Sequence, residues 1–382
     1  MKERKINNDI EMLRGVAIIL VLFQHFPSLY FWSDHSFFAS LSKYLTFWTG
    51  VDLFFCVGKS LINKLDESMR KNSERNFVIK EFFIKRAFRL LPTSFVWLSV
   101  VLLLSYYFND SGAFGIYNEN LKQALSIVTY NYNWYVKTVN EAGIPATFAP
   151  FWSLNLEEQF YFVFPFFIVL CPKKARVQFL MICCVILFFI KRQGFLSFNF
   201  RIDAISYGVI LAIISNKNGY SKLKNSLSKI LRAPVLFMTC CILLLIITPT
   251  LMWNSVHMVG VIALISFFMI YMASFNSGEI NLPNTLRKPM IYIGNRSYGL
   301  YIIHMPAIYI TQEIFARYFT SQGIMPHGGL YIESAITIVC IIIMSCLVEI
   351  NYRWVETPTR KMGAEIVSRM TAARREIQTK SA

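Results

Sequence analysis

Long apolar runs recur along the whole chain, and they constrain its fold more than any other feature of the sequence. A helix needs about 20 mostly apolar residues to cross the ~30 Å hydrocarbon core of a bilayer. Only 16% of the 382 residues are charged, whereas soluble domains average about 25%. The pattern therefore predicts an all-α fold, a polytopic transmembrane helix bundle of about ten spans. The expected spans are 11–30, 45–62, 89–108, 152–170, 177–192, 200–215, 233–249, 257–275, 291–311 and 331–350.

Basic residues gather in alternate loops between these runs. One set of loops holds most of the lysines and arginines, and the intervening set holds few, among them Lys122 and Lys137. By the positive-inside rule, this alternation places both termini in the cytoplasm, which agrees with an even number of spans. The net charge of +16 then reflects topology, and we expect no nucleic-acid partner. Lys191 and Arg192, at the end of the short fifth run, are expected to snorkel toward the interface.

The segments outside the spans have their own composition. We divide the chain into a transmembrane domain, residues 1–358, and a basic cytoplasmic tail, residues 359–382, which is expected to be solvated or to face lipid. The longest outer loop, 109–150, is rich in tyrosine and also contains a tryptophan. Two interpretations of these rings stay open, because aromatic faces stack on sugars and also form belts at membrane interfaces.

The eight cysteines carry no spacing of a known metal or disulfide motif. CxxC and CxxH patterns are absent from the sequence, and most of the cysteines lie inside apolar runs. Cysteines of this kind behave as small hydrophobic residues, so we expect no metal and no disulfide framework.

Ionisable residues inside the predicted spans are the leading functional candidates, because a charge in the bilayer core is costly. Arg14 and His25 share the first span and one helix face, with His25 about 16 Å further out. The same estimate of depth, applied to the other spans, predicts two layers. The outer, titratable layer contains His25, Asp52, Glu157, Asp203 and His304, and the inner, basic layer contains Arg14, Arg86 and Arg89.

Two such layers indicate an anionic ligand at the inner face and a proton-transfer site reached from the outer face. A structural role is the alternative for each residue. A membrane histidine can serve a helix contact, an arginine at a helix end can reach lipid phosphate, and Arg201 and Asp203 can anchor an interface. The agreement in depth of several such groups favours the functional interpretation.

Seven segments, in order along nearly the whole chain, resemble the motifs of the acyltransferase family 3 membrane proteins, which are bacterial O-acyltransferases of surface polysaccharides and related acceptors. Each motif alone is weakly specific, because apolar runs match easily, and together they are specific. The segments are EMLRGVAIIL at 11–20 with His25, GVDLFF at 50–55, KRAFRLLP at 85–92, FWSLNLEEQFY at 151–161, RIDA at 201–204, IGNRSYGLYIIHMP at 293–306 and YRWVETP at 352–358.

Two positions depart from the family pattern. Residues 58–60 read Gly-Lys-Ser where Ser-Gly-Phe is usual, which changes the packing or ligand contacts expected of that turn. In the opening, where the family usually has Leu-Asp-Gly-Leu-Arg-Gly, the chain has Glu11 and Met12 in place of Asp-Gly, a change that conserves charge. Some members carry an additional soluble esterase-like domain. The chain shows none, so we expect it to resemble stand-alone members, including those that modify O-antigen.

The resemblance implies acetyl-CoA, or a related acyl-CoA, as the acyl donor on the cytoplasmic side. It implies an essential arginine and histidine in the first helix, which match Arg14 and His25, and a cytoplasmic Arg-x-x-Arg, which matches Arg86 and Arg89. It also implies a role for the acid of the Trp-Ser-Leu motif, Glu157. The expected acceptor is a bacterial surface glycan or lipid-linked glycan, and the expected location is the bacterial inner membrane.

Together, these observations predict a mechanism. Arg86 and Arg89, with Arg14, hold the donor phosphates, and His25 acts as general base on the acceptor hydroxyl. Either Glu157 or Asp52 orients His25, and a covalent acetyl-histidine intermediate is an open alternative. The remaining candidates are assigned to a substrate-binding or structural polar layer; they are Trp152, Arg201, Asp203 and His304.

A different functional class fits the same residues. Ten spans with buried acids and histidines are also typical of a proton-coupled transporter or flippase. Such transporters use interrupted helix pairs rich in glycine and proline, which are not evident in the sequence. Dependence on acyl-CoA distinguishes the two classes, because a transporter needs none.

Overall fold

The chain is described from a computed structural model that covers residues 7–30, 36–57, 75–192, 199–215, 234–275, 282–324 and 329–380. Within these ranges the secondary structure is helical and contains no strand, which confirms the all-α prediction. Four helices are long and apolar enough to cross a membrane, judged by length and composition. They are Asn8–Leu29, Asn76–Tyr107, Pro234–Leu251 and Tyr331–Arg374.

Each of the ten predicted spans contains a helix, whereas the number of membrane crossings and the side of the termini stay predictions. A 3₁₀ turn, Phe26–Leu29, extends the first helix, and a π-helical turn, Tyr352–Glu356, joins the last two. In chain order the helices are α1 (Asn8–His25), α2 (Phe37–Ser42), α3 (Gly50–Val57), α4 (Arg75–Tyr107), α5 (Tyr117–Val128), α6 (Tyr132–Glu141), α7 (Phe151–Leu170), α8 (Arg176–Phe188), α9 (Ile202–Ser215), α10 (Pro234–Leu251), α11 (Met258–Ala273), α12 (Asn284–Asn295), α13 (Ser297–Gln322), α14 (Leu330–Asn351) and α15 (Thr357–Lys380).

Several boundaries differ from the sequence prediction. The ninth span is two helices, because α12 ends at Asn295 and α13 begins at Ser297. Helix α4 begins at Arg75 and is therefore much longer than the expected span 89–108. The predicted outer loop holds the helices α5 and α6. The Gly-Lys-Ser departure at 58–60 lies outside the described residues.

Glycines let the first helix pack tightly against its neighbours. A Cβ on Gly15 would lie 2.5 Å from the carbonyl oxygen of Met290, and one on Gly294 would collide with the backbone of Glu11. Helix α1 therefore crosses α12 in backbone contact, the close approach that small residues allow between membrane helices. The N-terminus of α1 is fixed by Asn7, whose side chain accepts from the amide of Ile10 at 3.1 Å.

The interior and the outer surface of the bundle have opposite distributions of polarity. Large apolar side chains such as Phe162, Leu170 and Leu243 are exposed, as expected for a surface solvated by lipid. Charged side chains such as Asp52, Arg192 and Glu356 are at most 2% exposed. The interior is thus the place where polar chemistry is held.

The C-terminal helix has a buried face. A Cβ on Gly363 would lie 2.7 Å from the Phe88 side chain of α4, and Val367 is buried one turn further on. The basic segment after residue 358 therefore runs as a helix along α4, and this contact brings its first turn to the arginines of α4.

Candidate functional site

Two histidines meet where α1 ends against α13. The ring centroids of His25 and His304 are 5.0 Å apart, with the planes at 51°. His304 is fully buried, and its Nδ1 lies 3.2 Å from the carbonyl oxygen of Leu300. Because a carbonyl oxygen only accepts, Nδ1 carries the hydrogen and neutral His304 keeps a lone pair on Nε2. That atom is buried and has no hydrogen-bond partner among the described residues.

The ring of Tyr301 packs beside the ring of His304. It lies 5.9 Å from the His304 ring, and its hydroxyl is 2.6 Å from Oγ of Ser153. Both hydroxyls also lie 3.2 Å from the carbonyl oxygen of Pro150. The serine of the Trp-Ser-Leu motif therefore ties the start of α7 to the helix that carries His304.

Asp52 is held by an arginine. Its carboxylate accepts two hydrogen bonds from Arg201, one of them from Nε at 3.2 Å, and both side chains are buried. The Arg201 guanidinium also lies 4.3 Å from the Trp48 ring and 5.5 Å from the Trp152 ring. No hydrogen bond joins Asp52 to His25 in the described part of the chain, and the structure places Trp152 beside the ion pair of Asp52 and Arg201.

Asp203 forms a second buried ion pair. Nη2 of Arg192 lies 2.8 Å from its carboxylate, and the two side chains are 0% and 1% exposed. The expectation that Arg192 snorkels toward the interface is therefore wrong. The bundle buries Arg192, and the carboxylate of Asp203 on a neighbouring helix compensates its charge, because a charge inside a bundle needs a partner of opposite sign.

Glu157 lies with the basic group. Nη2 of Arg86 donates to it at 2.9 Å, Nε of Arg86 is 3.4 Å from Glu158, and the guanidinium lies 3.0 Å from the Tyr161 ring. The structure thus brings Glu157 to Arg86, away from the outer layer where depth along the chain had placed it. Within the described residues, no acid takes the orienting position beside His25.

The other arginines surround a buried glutamate. Arg14 is 3.2 Å from Glu11, and Arg360 is 3.0 Å from Glu356, which is fully buried. Arg89 lies close enough to Arg14, Arg86 and Arg360 for their charges to repel. We call Arg14, Arg86, Arg89 and Arg360 the arginine cluster. Nε of Arg89 is buried and has no partner in the described part of the structure.

A small cleft of about 50 Å³ opens between α4 and α7. Its walls are mostly apolar, with Leu91 and Leu98 on one side and Phe151 on the other. Glu158, the neighbour of Arg86, lies in its lining. The cleft therefore lies between Glu158, a partner of Arg86, and Phe151 at the start of α7.

Sequence reasoning missed three charged residues and their partners. Arg192 is predicted to snorkel at a helix end, Arg360 is assigned to the basic tail, and Glu356 lies in the YRWVETP motif without a predicted role. The YRWVETP motif was the available signal for Glu356, since it places an acid in an otherwise apolar and basic segment. Among the described residues, no group of three or more His, Cys, Asp or Glu side chains converges as a metal site would require.

The described helices form a bundle with an apolar outer surface, and buried ion pairs and a histidine pair lie in its interior. These features define a multi-pass membrane protein. Residues 7–350 match the family model of the acyltransferase domain Acyl_transf_3. The chain therefore belongs to acyltransferase family 3, which confirms the resemblance of its motifs.

Two relatives illustrate the similarity. The chain is 26% identical over 390 residues to "Peptidoglycan O-acetyltransferase OatA" of Listeria monocytogenes, with 94% of this chain and 57% of the relative covered. It is 26% identical over 379 residues to "O-acetyltransferase OatA" of Staphylococcus aureus, with 93% and 57% covered. The chain thus spans little more than half the length of these relatives. No solved structure matches it.

Proposed function

We propose that this protein is a membrane O-acyltransferase that moves an acyl group, acetyl first of all, from cytoplasmic acyl-CoA to a hydroxyl of a cell-surface glycan. The observation that carries the proposal is the pairing of two sites on one helix. The arginine cluster includes Arg14 on α1, and the histidine pair includes His25 about 16 Å further along it. The arginine cluster suits an anionic acyl donor, and the histidine pair suits proton transfer. Donor binding and proton transfer are both needed for the acyl transfer that the family of this chain carries out.

The donor would bind at the arginine cluster. Guanidinium groups recognise phosphates through pairs of charge-assisted hydrogen bonds, and coenzyme A carries three phosphates. Arg86 is already held by Glu157 and Glu158, and Arg14 by Glu11 alone, so Arg89, which has no ion pair among the described residues, is the group best placed to bind, with Arg14 beside it. The thioester arm would then extend along the apolar side chains beside Glu158, toward the start of α7.

The acceptor would react at the histidine pair. In the proposed step, His25 accepts the proton of the acceptor hydroxyl while the hydroxyl oxygen bonds to the thioester carbonyl carbon. As the carbon–sulfur bond breaks, the departing thiolate takes the proton that His25 accepted, which leaves a thiol, the acyl ester and neutral His25. His304 offers its Nε2 lone pair to the same region and would share or relay the proton.

The glycan class of the acceptor is supported by the relatives. The Listeria protein is named for peptidoglycan, whereas the stand-alone family members that this chain is expected to resemble include enzymes that modify O-antigen. Both acceptors present sugar hydroxyls outside the cytoplasmic membrane. We therefore propose a surface glycan as the class, with peptidoglycan, O-antigen and a lipid-linked glycan precursor as the acceptors to test.

The test compares glycans from cells that carry empty vector, wild type, His25→Ala or His257→Ala. His257 is the matched control, because its ring stacks on Phe188 at 4.8 Å and bonds a backbone carbonyl. NMR and mass analysis of the purified glycans should show an ester-linked acyl group with wild type and His257→Ala only. An ester retained in His25→Ala, with equal protein in the membrane, would exclude His25 as the base.

A further inference from the structure

Glu356 and Arg360 lie outside the part of the chain that the family model matches. The match ends at residue 350, whereas Glu356 closes the π-helical turn Tyr352–Glu356 and Arg360 lies in the first turn of α15. π-Helical turns are rare, and they occur frequently at functional sites. This turn lies beside the arginine cluster, so its charged residues are candidates for a role there.

A single carboxylate faces several guanidinium groups at this point. Glu356 is fully buried and lies 3.0 Å from Arg360. Beyond that ion pair, its oxygens have no hydrogen-bond partner among the described residues. Arg89, Arg14 and Arg296 are near enough for their charges to act on it. Such a carboxylate balances charge without being tied into a hydrogen-bond network.

The other guanidiniums have their own carboxylate partners. Arg86 is paired with Glu157 and Glu158, and Arg296 is paired with Glu349 at 2.6 Å. Arg89 has no ion pair in the described residues, and its Nε is unpartnered. Glu356 is therefore the carboxylate that compensates Arg89 and Arg360, and it adds to Glu11 in compensating Arg14.

The packing of α15 fixes this arrangement. Gly363, one turn after Arg360, lies against the side chain of Phe88, the residue that precedes Arg89. Because a larger side chain at Gly363 would displace the helix, the contact sets the distance between Arg360 and α4. Arg360 keeps 34% of its side chain exposed, so it can reach an incoming ligand.

We propose that Arg360 is a further ligand for the phosphates of the acyl donor, together with Arg14 and Arg89, and that Glu356 is the resident counter-ion which the donor replaces. This inference rests on the proposed acyl-CoA donor. Three guanidiniums around one buried carboxylate match the charge and the multiple acceptor oxygens of a diphosphate. A phosphate group would take over the compensation that Glu356 provides in the unliganded bundle.

The experiment measures direct binding of coenzyme A to the purified full-length chain in detergent at low ionic strength. The variants are Arg360→Gln, Glu356→Gln, the double variant, and Arg369→Gln as an exposed arginine on the same helix. We expect Arg360→Gln to weaken binding about tenfold, since one charge-assisted hydrogen bond to phosphate is lost. We expect Arg369→Gln to bind as wild type does and Glu356→Gln to bind several-fold more tightly.

The double variant removes both charges of the ion pair, so neither partner is left buried alone. The double variant should bind coenzyme A more weakly than Glu356→Gln does. Because neither variant leaves Glu356 charged and unpaired, this difference reports the loss of Arg360 as a phosphate ligand and not a loss of stability. Equal binding by Arg360→Gln and wild type, or by the double variant and Glu356→Gln, would overturn the role of Arg360. Weaker binding by Glu356→Gln would overturn its role as counter-ion. If the wild type binds no coenzyme A, the proposed donor is overturned as well. That result differs from one in which the wild type binds coenzyme A and only the role of Arg360 or Glu356 fails.

Discussion

The imidazole of His304 lies against that of His25, with 5.0 Å between the ring centroids. His25 ends α1, and His304 comes from the third turn of α13, 279 residues later in the chain. His304 donates from Nδ1 to the carbonyl oxygen of Leu300, and this fixes its lone pair on Nε2. Two imidazoles in contact can pass a proton between them, whereas a single histidine in the same place must exchange it with water or substrate.

The substitution His304→Asn should separate the packing role of this side chain from its role in proton transfer. The asparagine Nδ2 can donate to the Leu300 carbonyl as Nδ1 of His304 does, but it offers no equivalent of the Nε2 lone pair. We expect transfer to fall about 10²–10⁴-fold, the usual contribution of a positioned acid or base, with little loss of thermal stability. Initial rates of acyl transfer from acetyl-CoA in inverted membrane vesicles measure the effect. A rate equal to wild type would assign His304 to packing alone.

The pair of Asp52 and Arg201 should act mainly through stability. Both side chains are buried, and removing one partner leaves an uncompensated charge, at a cost of about 3–5 kcal/mol. We expect Asp52→Asn to lower the thermal unfolding temperature of the purified protein, and the double variant Asp52→Asn with Arg201→Gln to regain part of the loss. Should Asp52→Asn keep full stability and lose activity per folded molecule, the carboxylate would belong to the chemistry instead.

Arg86 and Arg89 should respond differently to the same substitution. Arg86 contacts Glu157, Glu158 and the Tyr161 ring, so Arg86→Gln should destabilise the protein as well as weaken binding of the acyl donor. Arg89 has a free Nε within the described structure, so Arg89→Gln should raise the KM for acetyl-CoA about tenfold or more and leave stability unchanged. Parallel KM and thermal-unfolding measurements, with Arg369→Gln as the exposed control, test the contrast. An unchanged KM in Arg89→Gln would argue against donor binding there.

The crossing of α1 and α12 should tolerate no side chain at Gly294. A Cβ there would collide with the backbone of Glu11, and relief of such overpacking costs about 1–3 kcal/mol or more. Gly294→Ala should therefore lower both stability and transfer, since Arg14 lies three residues beyond Glu11 on α1. Gly329→Ala is the control, because its φ is 175° and no atom lies within 4 Å of the added Cβ. Unfolding temperature and fluorescence-detected gel filtration report the result, and equal behaviour of the two variants would contradict this account of the crossing.

The class of fold and most of the candidate residues could be predicted from the amino-acid sequence alone. Apolar runs of about 20 residues leave few solutions other than helices in a bilayer, and each predicted span does contain a helix. The cost of an intramembrane charge singled out Arg14, His25, Asp52 and His304. The ordered motifs were sufficient to identify the family, which the match over residues 7–350 confirms.

The pairing of these residues follows from the packing of the helices, which the sequence does not specify directly. Depth along a helix gives one coordinate, and it grouped Glu157 with His25, although the nearest guanidinium to Glu157 is that of Arg86. The pairing of Arg192 with Asp203, and the approach of the Glu356–Arg360 pair to Arg89, depend on how the helices pack, as at the contact of Gly363 with the Phe88 side chain. A buried charge selects its partner through geometry and desolvation, and those quantities exist only once the helices are packed.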